Sequence, residues 1–437
     1  MSTELDRIAA LARKDRQLQF FSIAHLLTEE ALMKAFESLR KDASAGVDGV
    51  THEEYRKDAR GHIQKLHERM RSGRYRAQPL RRVYIPKETG KLRPLSIPSL
   101  EDKIVQKATV TLLSAIYEQD FLECSHGFRP RRSPHDALDA VGRLICRHRI
   151  NYVLEADIVG YFDAIVRSQL MEMVERRVRD GSILRLIRKW INVGVIDDGR
   201  LLLAETGTGQ GQITSPLLAN IYLHYVLDQW FEDEVRPRLQ GEAHEVRYAD
   251  DFILCFQYRE DADKVMDVLK KRFAKFGLTL HPDKTRLMEF GRYAAENAAR
   301  AGGSKPATFD FLGFTHMGAR SRQGRFTIHV RTMKKRLRRS LLEVSSWCQE
   351  HRHDPVAKQC TTLNQKIRGH YQYYGRPTNY KTLWQYYRSV RRVWRKWLTR
   401  RTRGKRMPWS TFEKLEARNP LQRPRITRSW AGTVSHT

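Results

Sequence analysis

Two adjacent carboxylates, Asp250 and Asp251, lie between residues that otherwise favour burial. The stretch Tyr248-Ala249-Asp250-Asp251 is preceded by Val246 and followed by Phe252-Ile253-Leu254-Cys255-Phe256. This pattern predicts a buried β-hairpin with the acids at its tip. Side-by-side acids are costly to bury, because desolvation and mutual repulsion both oppose ionisation. A positive group must meet them, and a divalent cation is the strongest candidate. The chain is therefore expected to build a packed sheet whose tip serves phosphoryl transfer.

The rest of the composition bounds the setting. A length of 437 residues allows two or three domains and a sizeable core. No stretch approaches the apolar length of a membrane span, and the N-terminus lacks the apolar run of a secretory signal, so the cytoplasm is the expected compartment. The five cysteines are scattered and form no CxxC pair, which argues against a disulfide framework and against a zinc module. The net charge of +30 points to a polyanionic partner. From Arg331 onward 27 Lys/Arg face 5 Asp/Glu, so most of that excess lies in the last quarter of the chain. Such density, interleaved with aromatics, predicts nucleic-acid binding that weakens steeply with salt as counterions are released.

Helix and strand signals alternate, giving an α+β class. Residues 28–42, 53–72, 101–119, 168–192, about 215–234 and 260–276 read as helices, with Thr28 an N-cap and Ser215-Pro216 a helix start. Arg82–Pro86 and Arg93–Ile97 read as a hairpin around the basic turn 87–91, and Tyr152–Ile158 reads as a buried strand. Residues 291–306 read as a connecting loop, and helical periodicity dominates beyond about 331.

Asp157 ends its apolar strand. Alone it would be a cap or turn residue; beside the Asp-Asp hairpin it completes a carboxylate set able to hold two Mg²⁺ ions roughly 3.5–4 Å apart. Lys87 and Arg93 flank the basic turn and suit triphosphate oxygens. Gly207-Thr208-Gly209-Gln210-Gly211-Gln212 leads into the Ser215-Pro216 helix, where Gln210 can meet an incoming nucleotide.

In order, these elements resemble the reverse transcriptases encoded by bacterial group II introns, which double as maturases. The matching blocks are Gly46-Val47-Asp48-Gly49; Ile85-Pro86-Lys87 with Arg93-Pro94-Leu95; and His126-Gly127-Phe128-Arg129-Pro130 with Ser133-Pro134-His135-Asp136-Ala137-Leu138. They continue through Ala156-Asp157-Ile158 with Phe162-Asp163, Ser215-Pro216-Leu217-Leu218-Ala219-Asn220, Tyr248-Ala249-Asp250-Asp251, His281-Pro282-Asp283-Lys284-Thr285 and Phe311-Leu312-Gly313-Phe314.

The resemblance implies a right-hand polymerase. Its N-terminal extension and fingers, with part of the palm, would span 1–150. The palm with the catalytic centre would span 151–325, and a basic helical thumb or maturase domain 326–437. It implies Asp157, Asp250 and Asp251 as metal ligands, Lys284 near the leaving pyrophosphate, and Lys87, Arg93 and Gln210 on the nucleotide. Phe162 is either the steric gate against a 2′-hydroxyl or plain core packing. Phe311, Leu312, Gly313 and Phe314 resemble the turn that grips the primer end. Asp163, Arg129 and His135 match family blocks and read first as structural.

One departure stands out. The family's usual loop reads Pro-Gln-Gly-Gly where this chain has Gly209-Gln210-Gly211-Gln212. A glycine in place of proline predicts a looser loop, and Gln212 excludes an easy positive φ at its end.

In the basic quarter, Lys334, Lys335, Arg338, Arg368, Arg388, Arg391, Arg392 and Arg395 are the expected RNA contacts, on helices resembling the thumb. The implied partners are intron or template RNA, a DNA primer or target, and dNTPs; the implied roles are reverse transcription, splicing as a maturase, and retrohoming. The HNH endonuclease that many relatives append has no counterpart here, so second-strand cleavage is not expected. Two other readings share some of these features. A free-standing relative recruited for phage defence or beside CRISPR genes would keep the polymerase chemistry. A non-catalytic splicing factor would have no use for three clustered carboxylates. The chemistry alone also admits a DNA template; only the resemblance favours RNA.

Overall fold

The computed structural model describes residues 2–86, 92–197, 199–202, 206–302, 306–401 and 407–428. The chain divides into two compact units, Met1–Ala137 with Leu154–Leu287, and Leu138–Val153 with Met288–Thr437. Among the described residues the strands are β1 (Leu80–Pro86), β2 (Leu92–Ile97), β3 (Tyr152–Ala156), β4 (Val195–Asp197), β5 (Arg200–Leu202), β6 (Ala243–Tyr248), β7 (Asp251–Phe256), β8 (Arg286–Glu289), β9 (Thr308–Phe311), β10 (Phe314–Arg320) and β11 (Phe326–Thr332). They form three sheets, ordered β2-β1-β4-β5, β6-β7-β3-β8 and β11-β10-β9. No described helix is long and apolar enough to cross a membrane.

In the first unit, β1 and β2 pair antiparallel from Arg81↔Ile97 to Pro86↔Leu92, as the sequence predicts. Short β4 and β5 extend that sheet and carry no strong pattern of their own. The sheet β6-β7-β3-β8 holds the acids, with every residue of Phe252–Phe256 buried. Thr28 caps the helix Glu29–Ser38 by accepting from Ala31 N at 3.2 Å.

Two expected helices are each broken by an aspartate. Residues 53–72 form His52–Arg56 and Ala59–Arg71, with Asp58 capping the second. Residues 168–192 form Arg167–Glu175 and Gly181–Ile191, where Asp180 accepts from Ser182 N and Ile183 N. A side chain that satisfies free backbone donors starts a new helix where periodicity alone would continue the old one. The helix Ser215–Leu223 continues through π-helical turns at His224–Asp228 and Phe231–Val235.

In the second unit, the three-stranded sheet over residues 308–332 adds structure to a stretch that the sequence marks only at the Phe311–Phe314 turn. The expected loop 291–306 contains a short helix, Ala294–Arg300. Helices Lys334–Glu350, Val356–Tyr374 and Tyr380–Thr399 pack around Leu337, Leu363, Ile367, Leu383, Val390 and Trp394, and a fourth, Trp409–Arg418, adds Phe412 to that core.

Candidate active site

The hairpin register pairs Tyr248 with Asp251, leaving Ala249 and Asp250 as a two-residue turn. Ala249 has φ +58, a left-handed conformation that a residue with a β-carbon adopts at a cost. The turn is held by Arg247, which is 0% exposed. Arg247 Nη1 donates to Ala249 O at 2.9 Å and to Asn220 Oδ1 at 3.1 Å. Its Nε donates to Asp228 Oδ1 at 2.6 Å, and Nη2 donates to Asp228 Oδ2 and to Ser125 Oγ. Asp228 lies in the first π-helical turn. Asn220 also donates to Gly127 O at 2.7 Å. Gly127 itself presses on the tip: a β-carbon there would lie 2.2 Å from Ala249 N. Three distant segments, at residues 125–127, Asn220 and Asp228, thus fix through Arg247 and Gly127 the turn that carries the acids. Sequence reasoning missed Arg247, Asp228 and Asn220; the available signal was an arginine directly before the Tyr248-Ala249-Asp250-Asp251 run.

Asp157 follows β3, and its carbonyl accepts from His281 N at 2.8 Å. Lys284 Nζ donates to Asp157 Oδ2. Burial raises the pKa of Asp250, and the charge of Asp157 adds to it, against the opposing fields of Arg93 and Arg247. Asp251 is open to solvent on one side and crowded on the others. That crowding, then Asp250 and Asp157, push it up to about 7, with Lys284 opposing. The three acids therefore act on one another, and the cations beside them do not relieve Asp251. Hard oxygen donors in mutual repulsion fit divalent cations such as Mg²⁺.

Arg93 is exposed on β2, within electrostatic reach of Asp250; Lys87 lies outside the described residues. Phe162 is half-buried on the one-turn helix Tyr161–Ala164, edge-on to Phe128 with ring centroids 6.5 Å apart. Gln210 is half-buried, and its carbonyl accepts from Ser96 N at 2.7 Å. The loop around it is not loose. Gly209 has φ +70, and its carbonyl accepts from Ser215 Oγ at 2.9 Å. Gly211 has φ +115, and a β-carbon there would meet Ser96 O at 2.6 Å. Gln212 is buried; its Nε2 donates to Thr208 O at 2.8 Å and to Trp190 O at 3.1 Å, while Gln106 Nε2 donates to its Oε1 at 2.8 Å. The residue that replaces the family's glycine is thus a structural tie. Arg129 is likewise structural, donating to Glu118, Leu122 O and Ser125 O. His135 is buried and Asp163 exposed.

In the second unit, Phe311 pairs with Phe314 and both are buried, leaving Leu312 and Gly313 as the turn, at φ +48 and +81. Tyr373 Oη donates to Leu312 O at 2.8 Å, so the turn is rigidly supported. Lys334, Lys335, Arg338, Arg368, Arg388 and Arg392 are exposed. Arg391 and Arg395 are engaged internally. Arg391 Nε donates to Glu416 Oε1 at 2.8 Å; Arg395 donates to Met407 O at 2.8 Å and lies 4.1 Å from the Trp409 ring centre.

A family model described as reverse transcriptase (RNA-dependent DNA polymerase) matches residues 85–316. Protein YkfC of Escherichia coli K12 is 34% identical over 321 residues, covering 64% of this chain and 83% of that protein. Group II intron-encoded protein LtrA of Lactococcus lactis subsp. cremoris is 30% identical over 292 residues, covering 64% of this chain but only 48% of its own length. Nuclear intron maturase 2, mitochondrial, of Arabidopsis thaliana is 25% identical over 235 residues, covering 44% of this chain and 30% of that protein.

Proposed function

The chain belongs to the reverse transcriptase (RNA-dependent DNA polymerase) family, and we propose that it extends a DNA primer along an RNA template and serves a group II intron as its maturase, in splicing and in retrohoming. The observation that carries this reading is the proximity of Asp157, at the end of β3, to Asp250 and Asp251 on one rigid hairpin tip, with Arg93 and Lys284 within electrostatic reach. Asp157, Asp250 and Asp251 would hold two Mg²⁺ ions. When bound, such ions activate a primer 3′-hydroxyl and offset charge on the triphosphate and pyrophosphate.

The protein's own groups divide the remaining work. Arg93, with Lys87, clasps the triphosphate. Lys284 steadies Asp157 and faces the leaving group. Phe162 lies under the sugar, and Gln210 meets the nucleotide. We assign the N-terminal extension and fingers, with part of the palm, to 1–150, the palm with the catalytic centre to 151–325 and the basic helical thumb to 326–437, with the turn of Phe311, Leu312, Gly313 and Phe314 gripping the primer end. The exposed Lys334, Lys335, Arg338, Arg368, Arg388 and Arg392 hold RNA through phosphates and 2′-hydroxyls.

The test is extension of a DNA primer annealed to RNA, with dNTPs and Mg²⁺. Elongated DNA is expected. A folded protein that binds RNA and makes no DNA would favour the non-catalytic splicing factor instead.

Proton and metal also compete at Asp251. Its pKa is raised from 3.8 to about 7. The metal-free protein therefore gains a stabilising contribution that is full below 3.8 and is lost as pH rises through about 7. Mg²⁺ needs the ionised form, so its stabilisation grows over the same range. The Mg²⁺-induced rise in melting temperature is expected to be larger at about pH 8.5 than at about pH 6. Equal shifts at both would remove Asp251 from the ligand set.

A further inference from the structure

Phe128 has none of the roles assigned above, yet its conformation needs an explanation. It sits at φ +57, and 52% of it is exposed. The left-handed region is a steric outlier for a bulky aromatic, and a half-exposed ring recovers only part of that cost by burial. Such an outlier persists only where its surroundings impose it, and these lie disproportionately at functional sites.

Here the surroundings do impose it. On one side, Gly127 is wedged against Ala249 of the acid-bearing turn and its carbonyl accepts from Asn220. On the other, Arg129 is buried and tied to Leu122 O, Ser125 O and Glu118. Arg131, also at a positive φ of +59, completes a loop with little freedom. Held this way, the Phe128 ring stands edge-to-face with Phe162, at 6.5 Å and 65°.

We infer that Phe128 is a specificity-determining residue of the nucleotide pocket, a second aromatic wall that fixes the Phe162 ring and so sets which sugar is admitted. The inference rests on the polymerase reading and on Phe162 lying under the sugar. A half-buried ring excludes a 2′-hydroxyl only while it keeps its position. Phe128 meets Phe162 in an arrangement that aromatic pairs prefer. Without that neighbour, Phe162 can swing and admit the extra oxygen. Because Phe128 acts partly through Phe162, its substitution should change the choice between sugars more than the fold.

The experiment is single-nucleotide incorporation of dATP and ATP by wild type, Phe128→Gly, Phe128→Tyr and Phe162→Ala, with kcat and KM measured separately. Phe128→Gly relieves the left-handed strain, so it is expected to melt within about 4 °C of wild type. Its preference for dATP over ATP should fall about tenfold or more, mainly through a better KM for ATP. Phe128→Tyr, which keeps the ring, should retain most of the preference. A Phe128→Gly protein that melts like wild type and keeps the wild-type preference overturns the inference. So does an unchanged preference in Phe162→Ala, which removes the gate on which Phe128 would act. A wild type that incorporates dATP in either case leaves the polymerase reading standing, whereas one that incorporates neither nucleotide removes both.

Discussion

Asp250→Ala is expected to abolish primer extension, lowering the rate by at least about 10³-fold, while the protein stays folded and keeps its RNA affinity. The turn supplies both halves of this expectation. Asp250 occupies the second turn position, and its carboxylate accepts from its own backbone amide within the turn. The hairpin is held by its strand register and by Arg247 on the Ala249 carbonyl. Burial and Asp157 raise the Asp250 pKa, so its ionised form is an unfavourable presence in the folded protein. Its removal should leave the melting temperature unchanged or slightly higher. It should also lower the pKa of Asp251, which Asp250 helps to raise. Single-turnover extension and thermal melting read the two effects separately. Extension within tenfold of wild type would refute the assignment of Asp250 as a metal ligand.

Arg247→Leu should act in the opposite sense, damaging the fold first. The substitution leaves Asp228, 1% exposed, as an unpaired buried charge and strips a donor from the strained Ala249 carbonyl. Removing one partner of a buried ion pair costs about 3–5 kcal/mol. Urea denaturation would read this as a lower midpoint with little change in slope. The double variant Arg247→Leu with Asp228→Leu should recover part of the loss, since no buried charge is then left alone. A single variant less than about 1 kcal/mol below wild type would mean that the guanidinium does not hold the tip.

The sequence disclosed the acid cluster more readily than the supports beneath it. Asp157, Asp250 and Asp251 were legible because acids beside apolar strands are costly and thus informative. The hairpin β1–β2 and the Thr28 cap were legible because turn and capping residues act locally. The breaks at Asp58 and Asp180 were not, since helical periodicity continues across them. The sheet β9–β11 was obscured because a buried His316 interrupts the apolar alternation of Phe309, Phe311 and Phe314. The internal partners of Arg391 and Arg395 were not legible because Glu416 and Trp409 lie on a later helix. Arg247 was hidden by partners 19, 27 and 122 residues away. No local pattern reports such distances.

The Gly209 backbone bears on how this protein can be engineered. Proline substitution in loops is an ordinary route to thermostability, and restoring the family's proline here would look like the safest choice. At φ +70 the pyrrolidine ring, confined near −65°, cannot be accommodated. The companion change back to glycine at 212 would discard the buried ties to Gln106, Thr208 and Trp190. Positions 209 and 212 therefore belong to one local solution, and a consensus library should move them together or leave both alone.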